Sequence, residues 1–169
     1  GDALLDIAVA NYGTQTVAIF FNDANRPFAN RFSSSITPAS PLDIAVGDFN
    51  WDNRSDLVVS NSGTNNIAVL LSYGNGTFGP PHMHSTGSIS SVSLTIDDLN
   101  KDNRLDVIVI NDDTNSLDFL FGFFQGFRNQ TKYSTQARAS SLAVGDLNGD
   151  GQSDVIAVDD ASTSVQILY

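Results

Sequence analysis

The stretch that decides the fold is Asp48-Phe49-Asn50-Trp51-Asp52-Asn53-Arg54-Ser55-Asp56. Its pattern, Asp-x-Asn-x-Asp-(Asn/Gly)-x-x-Asp, recurs at residues 98–106 and 146–154. We call these stretches loop 1, loop 2 and loop 3, and we number their positions 1 to 9. The first Asp of each loop stands at 48, 98 and 146, so the chain repeats with a period of about 50 residues. Asp6 fits position 9 of a further, incomplete copy.

The residues around each loop keep the same period. An apolar run follows position 9 at 6–9, 56–59, 106–109 and 154–157, and a second run follows at 16–21, 66–71, 116–121 and 164–169. Next comes a turn with an aromatic residue (Phe28, Phe78 or Phe127) and then a more polar run at 31–36, 81–86 and 131–136. Together with the apolar residues before each loop, these runs predict four short strands per repeat, named A to D.

Four-stranded units at this spacing are typical of β-propeller blades. The sequence therefore predicts an all-β fold of four-stranded antiparallel blades, with about 3.5 repeats in one repeat domain over residues 1–169. We expect blades at about 1–40 (incomplete), 41–90, 91–139 and 140–169 (incomplete). Because blades bury their faces only against neighbours, we expect a segment of a larger propeller or repeat assembly. Further repeats, or other copies of the chain, would complete it as a ring or an extended array.

The composition excludes several classes of protein. The chain has 169 residues, with 19 acidic and 8 basic side chains and a net charge of -11. Every acidic residue is Asp and none is Glu, which disfavours a helical bundle because Asp prefers turns and caps. The acidity argues against a nucleic-acid partner, and no apolar run is long enough for membrane insertion. Since the chain has no Cys, disulfides and thiolate metal sites are excluded.

The loop pattern predicts calcium sites. Side-chain oxygens at positions 1, 3, 5 and 9, with the backbone carbonyl at position 7, form the hard oxygen donor set that Ca²⁺ prefers. Position 6 needs a left-handed turn, which Asn and Gly tolerate. We therefore expect about three Ca²⁺ ions, with the donors Asp48, Asn50, Asp52, Arg54 and Asp56; Asp98, Asn100, Asp102, Arg104 and Asp106; and Asp146, Asn148, Asp150, Gln152 and Asp154, of which Arg54, Arg104 and Gln152 donate a carbonyl.

Two other interpretations account for these carboxylates less well. A tight hairpin held by Asx turns would also use Asp and Asn, but it does not need four such residues at fixed offsets in three copies. Catalytic carboxylates occur once in a cleft and not in every repeat, so we expect no enzymatic activity. A helix-loop-helix calcium site is excluded because position 12 is Val59, Val109 or Ala157 instead of Glu.

The loops, together with turns such as residues 73–79, resemble the FG-GAP (or VCBS) repeats of integrin α-subunit propellers and related secreted propellers. The resemblance implies an extracellular or cell-surface calcium-binding module that acts in adhesion or as an assembly unit. Glycans or extracellular matrix proteins are the partners that it suggests. The alternatives are a lectin that binds sugars between blades, and an accessory domain of a larger secreted enzyme.

Three N-glycosylation sequons begin at Asn53, Asn75 and Asn129. We expect all three in turns or at loop edges, where a glycan is sterically possible. Asn53 stands at position 6 of loop 1, where its side chain would point away from the metal.

Several aromatic residues and histidines have more than one interpretation. Trp51 is expected to pack against the neighbouring loop, with stacking on a sugar ring as the alternative. His82 and His84 share one face of an outer strand and are expected to face solvent, with a two-ligand metal site as the alternative. The remaining aromatic residues are expected in the core between blades: Phe121, Phe123, Phe124 and Phe127.

Overall fold

The structure is a computed structural model, and it describes residues 4–25, 27–28, 30–35, 40–123, 126–135, 137–160 and 164–169. The strands form four separate antiparallel sheets in chain order. Sheet 1 contains β1 (Ile7–Asn11), β2 (Thr16–Phe21) and β3 (Asn30–Ser35); sheet 2 contains β4 (Ser40–Gly47), β5 (Asp56–Ser62), β6 (Asn66–Leu70) and β7 (His82–Ser85). Sheet 3 contains β8 (Ser91–Asp97), β9 (Asp106–Asn111), β10 (Ser116–Phe123) and β11 (Gly126–Ser134); sheet 4 contains β12 (Ala139–Gly145), β13 (Asp154–Asp159) and β14 (Val165–Leu168).

The all-β, blade-like architecture is confirmed. Sheets 2 and 3 have four strands, each paired with its sequence neighbour, and sheets 1 and 4 have three described strands. This is the strand sequence B-C-D, A-B-C-D, A-B-C-D, A-B-C that the repeat predicts. The only helical segment in the described ranges is the single 3-10 turn Tyr12–Thr14, and none of the described residues form a helix that could cross a membrane.

Three apolar layers hold successive sheets together. The middle strands β5 and β9 are buried along almost their whole length, as their continuous apolar sequences require. Val17 and Ile19 of sheet 1 pack on Leu57 and Val59 of sheet 2. The next layer joins Val58, Ile67 and Val69 to Leu94, Val107 and Val109, and the last joins Ile108, Ile110 and Leu117 to Val155 and Ala157.

The outer edge of sheet 3 differs from the expectation. Phe127 and the sequon residue Asn129 lie in β11 and not in a turn, because β10 and β11 pair as far as Phe123 and Gly126. The corresponding turn of sheet 2 has two glycines with positive φ, Gly74 and Gly76, whereas the third repeat carries strand-forming aromatic residues there. Phe127 nevertheless packs in the layer between sheets 2 and 3, as expected; Phe124 lies outside the described residues.

The last residue of the first strand in one sheet contacts position 8 of the loop in the next sheet, and the two residues are complementary. Gly47 at the end of β4 faces Leu105, and a Cβ added at Gly47 would overlap Leu105 Cδ1 and lie 3.0 Å from Ile96 Cδ1. One repeat later, Asp97 takes the place of Gly47, and its Oδ2 accepts a 2.5 Å hydrogen bond from Ser153 Oγ, the counterpart of Leu105. A small-large pair thus fixes loop 2 against sheet 2, and a hydrogen bond fixes loop 3 against sheet 3.

Candidate metal centre

The three loops lie at equivalent places in the fold. Each joins the first strand of its sheet to the second: loop 1 joins β4 to β5, loop 2 joins β8 to β9, and loop 3 joins β12 to β13. Since β4, β8 and β12 pack on one another in order, the loops follow one another along the same edge of the stacked sheets. The repeat therefore gathers all fifteen predicted donor residues on one end of the molecule.

Positions 1, 3 and 5 are held by hydrogen bonds from the loop backbone. In loop 1, Asp48 Oδ2 accepts from the amide of Asn53 (2.8 Å), Asn50 Oδ1 from the amide of Asp52 (3.1 Å), and Asp52 Oδ1 from the amide of Arg54 (2.9 Å). The same three bonds recur in loop 2 and in loop 3 at 2.7–3.0 Å. The polar side chains thus hold the loop as the Asx-turn interpretation proposes, and they keep the potential donors in fixed positions.

Position 9 has a structural role that is independent of any ligand. Asp56 is fully buried, and its two oxygens accept from the amides of Phe49 (3.0 Å) and Ser72 (2.7 Å). Asp106 does the same with Leu99 (2.9 Å) and Gly122 (2.7 Å). Asp6 accepts from the amide of Asn22 (2.8 Å), which matches the Ser72 contact and confirms the register of the incomplete first copy. The position 9 carboxylate therefore ties the loop to the end of the third strand of its repeat.

Two positions of each loop adopt the left-handed conformation. Position 6 does so as predicted, with φ of 61° at Asn53 and 62° at Asn103. Position 4 does so as well, with φ of 62° at Trp51, 58° at Lys101 and 79° at Gly149. Position 4 was not predicted, because Trp and Lys are not residues that favour positive φ; Gly149 in loop 3 was the one signal for it. Such a conformation costs about 1–2 kcal/mol for a residue with a Cβ, so surrounding contacts must hold it.

The carboxylates of a loop repel one another. Burial raises the pKa of Asp56, and the charges of Asp52 and Asp48 raise it further against the two amide hydrogen bonds. Burial likewise raises the pKa of Asp106, with a contribution from Asp102 and Asp98. A cation bound among them would relieve this repulsion.

The donor chemistry fits Ca²⁺, although the carboxylates are not gathered on one point in this structure. Each loop offers three carboxylates, one Asn side-chain oxygen and one backbone carbonyl, all hard oxygen donors. Across the described residues, no three Asp or His side chains form a group that could hold a metal ion, because the carboxylates are directed at backbone amides. Each carboxylate oxygen keeps a second lone pair, so a cation can share these oxygens after a small rearrangement of the loop.

The side chain at position 4 contacts the next loop. Trp51 Nε1 donates to the carbonyl of Asn103 (3.1 Å), and the guanidinium carbon of Arg104 lies 4.5 Å from the centre of the Trp51 ring. Trp51 thus packs on the neighbouring loop, as expected. Lys101 Nζ lies 3.8 Å from the position of a Cβ on Gly151. Its charge helps the hydrogen bonds from Gln152 and Asn148 to lower the pKa of Asp150.

Two of the smaller expectations have different outcomes. His82 is exposed, but His84 is half-buried and packs edge-on against Phe127, with ring centres 5.0 Å apart. The expectation that both histidines face solvent is therefore wrong for His84, because sheet 3 covers it. Asn53 and Asn75 are exposed in a loop and a turn, as their sequons require.

Sequence reasoning missed the residues that join one repeat to the next. Asp43 Oδ2 accepts from Ser93 Oγ (2.8 Å) and from the amide of Leu94 (3.0 Å), which links β4 to β8. Asp97, at a different repeat position, joins β8 to loop 3 by accepting from Ser153 Oγ. Both Asp residues lie in strands, where Asp is disfavoured. Their presence there was the signal in the sequence for a specific contact between repeats.

Comparison with known families agrees with the register of the loops. The model of the FG-GAP-like repeat matches the chain at residues 1–59, 48–109 and 98–157. The second and third matches begin at position 1 of loop 1 and loop 2, so the family repeat and the repeat in this chain coincide. No curated protein sequence gives a significant match. Since the three matches cover residues 1–157, the chain belongs to the FG-GAP-like repeat family and is built as a structural repeat module.

Proposed function

We propose that this chain is an extracellular, calcium-stabilised repeat module that acts in adhesion or assembly and has no catalytic activity. The observation that carries the proposal is the threefold recurrence of one loop, with the same hydrogen bonds and the same two left-handed positions, on one edge of the sheets. A site for a structural cation recurs in this way, whereas a catalytic site is formed once. Ca²⁺ is favoured over transition metals because the donors are oxygen only.

The calcium part is tested by isothermal titration calorimetry of the chain with Ca²⁺. We expect about three ions per chain and weaker binding of Mg²⁺, which demands a stricter octahedral geometry. The Ala variants at position 5 (Asp52→Ala, Asp102→Ala and Asp150→Ala) should each remove one ion. Tyr12→Phe, in the 3-10 turn of sheet 1, is the control and should leave the stoichiometry unchanged. Absence of calcium heat in the natural chain would refute the proposal.

The extracellular part is supported by the exposed sequons. Asn75 Oδ1 accepts from the amide and the hydroxyl of Thr77, which places the acceptor amide in a tight exposed turn. Expression through a eukaryotic secretory pathway should give a product whose mass falls on treatment with peptide N-glycosidase. The variant Asn75→Gln should lose one glycan. A secreted product of unglycosylated mass would count against the glycoprotein assignment.

The assembly part is supported by the outward face of sheet 4. Val158, Val165 and Ile167 are 39–56% exposed on the side opposite sheet 3, whereas the equivalent faces of sheets 2 and 3 are covered by the next sheet. We propose that another sheet of the same repeat type covers this face, from further repeats or from another copy. In sedimentation experiments, Val165→Asp should reduce self-association of the chain, and Ser85→Asp on exposed β7 of sheet 2, away from this face, should have a smaller effect.

A groove between sheets 1 and 2 favours ligand binding as a second function. It encloses about 670 Å³, with Ile19, Leu57 and Phe78 on its apolar side and Asn53, Arg54 and Asn75 at its polar rim. This mixture of apolar and polar groups suits a carbohydrate, in line with the lectin alternative. A glycan array with the natural chain and with Arg54→Ala tests it, and Arg128→Ala is the matched control on another sheet.

A further inference from the structure

The residue at position 4 of one loop reaches position 6 of the next loop. Trp51 of loop 1 donates its ring N–H to the carbonyl of Asn103 in loop 2, at 3.1 Å. Lys101 of loop 2 brings its Nζ to 3.8 Å from the Cβ position of Gly151 in loop 3. The same offset therefore joins both pairs of successive loops, although one side chain is an aromatic donor and the other a flexible cation.

The residue at position 4, which makes this contact, has a left-handed backbone. Trp51 has φ of 62°, which is rare for a bulky residue and persists only where the surroundings hold it. At the same position loop 3 has Gly149, which meets no such penalty. All three loops share this backbone, so it belongs to the loop itself, and the contact with loop 2 and the stacking of Arg104 on the ring fix the Trp51 side chain. The side chain of Trp51 thus ties loop 1 to loop 2.

We propose that the residue at position 4 of one loop sets the Ca²⁺ affinity of the next loop, with Trp51 strengthening loop 2 and Lys101 weakening loop 3. The inference rests on the proposed function, namely that the loops bind Ca²⁺. Trp51 fixes the peptide that precedes Arg104, whose carbonyl is a predicted donor. A loop that is already held in place loses less conformational entropy when it binds an ion.

Lys101 acts in the opposite sense through its charge. Its ammonium group lies beside the tip of loop 3, 3.8 Å from where a Cβ added to Gly151 would stand. A second cation in that loop would be repelled, and the repulsion would weaken as salt is added. Loop 3 therefore has both the freest backbone, with glycine at positions 4 and 6, and a competing charge.

Linkage makes the effect reciprocal. If Trp51 couples loop 1 to loop 2, Ca²⁺ at loop 1 changes the affinity of loop 2, and Ca²⁺ at loop 2 changes the affinity of loop 1 by the same factor. Trp51 is the only tryptophan in the chain, and it lies in loop 1 with its ring against loop 2, so its fluorescence reports binding at these two loops and not at loop 3.

The test is a calcium titration of the full chain followed by nuclear magnetic resonance, with one amide signal per loop: Asn53, Asn103 and Gly151. In Trp51→Phe, which keeps a ring but lacks the donor, we expect the Kd of loop 2 to rise about fivefold while that of loop 3 stays the same. Trp51→Gly, which suits the positive φ, must also weaken loop 2. This second variant shows that the lost contact, and not backbone strain, causes the change.

The charge effect has its own variant and control. Lys101→Gln should lower the Kd of loop 3 about threefold at low ionic strength, and the gain should shrink at about 0.5 M salt. Arg138→Gln removes an equal charge from the opposite end of the strands, where Arg138 pairs with Asp112 and Asp160, and should leave loop 3 unchanged.

The outcomes separate the two proposals. If no amide signal of the natural chain moves with Ca²⁺, the calcium proposal fails and this inference fails with it. If all three loops titrate but the variants at Trp51 and Lys101 leave the Kd of the following loop unchanged, the calcium proposal stands and the coupling is refuted.

Discussion

At the scale of single residues, the carboxylates of a loop divide into two kinds. Those at positions 1 and 5 are partly or fully exposed and accept hydrogen bonds from their own loop. The carboxylate at position 9 is buried and satisfies two backbone amides from separate segments, as Asp106 does with Leu99 and Gly122. Position 9 therefore supports the fold in the absence of metal, and positions 1 and 5 matter chiefly when a cation is bound.

Two substitutions in loop 2 separate these roles. Asp106→Ala should lower the free energy of unfolding by about 2 kcal/mol even in chelator, because two buried amides lose their acceptor. Asp102→Ala removes the same charge from an exposed position and should change it by less than about 0.5 kcal/mol in chelator. Urea unfolding with and without Ca²⁺ measures both. Equal losses in chelator would show that position 9 has no special structural role.

A buried carboxylate outside the loops predicts a pH effect. Asp118 in β10 is fully buried, where the equivalent residues of sheets 1 and 2 are Ala18 and Ala68. Burial raises its pKa, although Lys132 at 3.8 Å and the hydrogen bond from Gln130 oppose the shift. A raised pKa means that the ionised group destabilises the fold above its folded pKa. This cost disappears as the pH falls towards 3.8.

Asp118→Asn should therefore raise the free energy of unfolding at pH 7 by about 1 kcal/mol. The gain should shrink as the pH falls through the folded pKa and should vanish below 3.8, where the natural residue is protonated in both states. Urea unfolding of both proteins across this pH range gives the difference between their free energies of unfolding. The titration of all other groups is common to both proteins and cancels in this difference. A gain that is constant with pH, or a loss at pH 7, would contradict the account of Asp118.

At the scale of secondary-structure elements, the sheets are matched in pairs. Gly47 leaves room for Leu105, whereas Asp97 bonds to Ser153 at the same place one repeat later. Gly47 and Asp97 occupy equivalent positions but share no chemical property, and the same is true of Leu105 and Ser153. Each residue is explained only by the residue that it contacts in the next repeat. The residues at these positions therefore fit the junction between two sheets and not a pattern within the single repeat.

Gly47→Ala tests the junction between sheets 2 and 3. The new Cβ would overlap Leu105, and we expect a loss of about 1–3 kcal/mol in the free energy of unfolding. Gly145→Ala is the matched control at the same repeat position, where a Cβ meets no atom within 4 Å, and should be neutral or slightly stabilising. Equal effects of the two variants would mean that Leu105 moves aside without cost.

The repeat made much of this fold predictable. The apolar runs and the loop spacing specify the strands and their order, because each depends on local pattern. The left-handed conformation of Trp51 was not predictable from its residue type, because it belongs to a loop backbone that all three copies share. The burial of His84 was not predictable because it depends on Phe127 of the neighbouring sheet. Phe127 was expected in a turn but lies in β11, because the third repeat has Phe124 where the second has Gly74 and pairs Phe123 with Gly126. Local pattern thus predicts the sheets and the repeated loop, while contacts between repeats decide the rest.

At the scale of the whole molecule, the central claim is that Ca²⁺ offsets the charge concentrated at one end. The net charge is -11, and the three loops place nine Asp residues together in groups of three. For sites with a Kd of about 10 µM, Ca²⁺ at about 1 mM would stabilise the fold by about 2.7 kcal/mol per ion. The cation would thereby act as a structural part of the module.

Differential scanning calorimetry with Ca²⁺ and with excess chelator tests this claim most directly. We predict that Ca²⁺ at about 1 mM raises the Tm of the chain by more than about 10 °C over the chelator sample, since each kcal/mol shifts a domain of this size by about 2–4 °C. Mg²⁺ at the same concentration should give a smaller increase. A Tm that is the same in Ca²⁺ and in chelator would contradict the account.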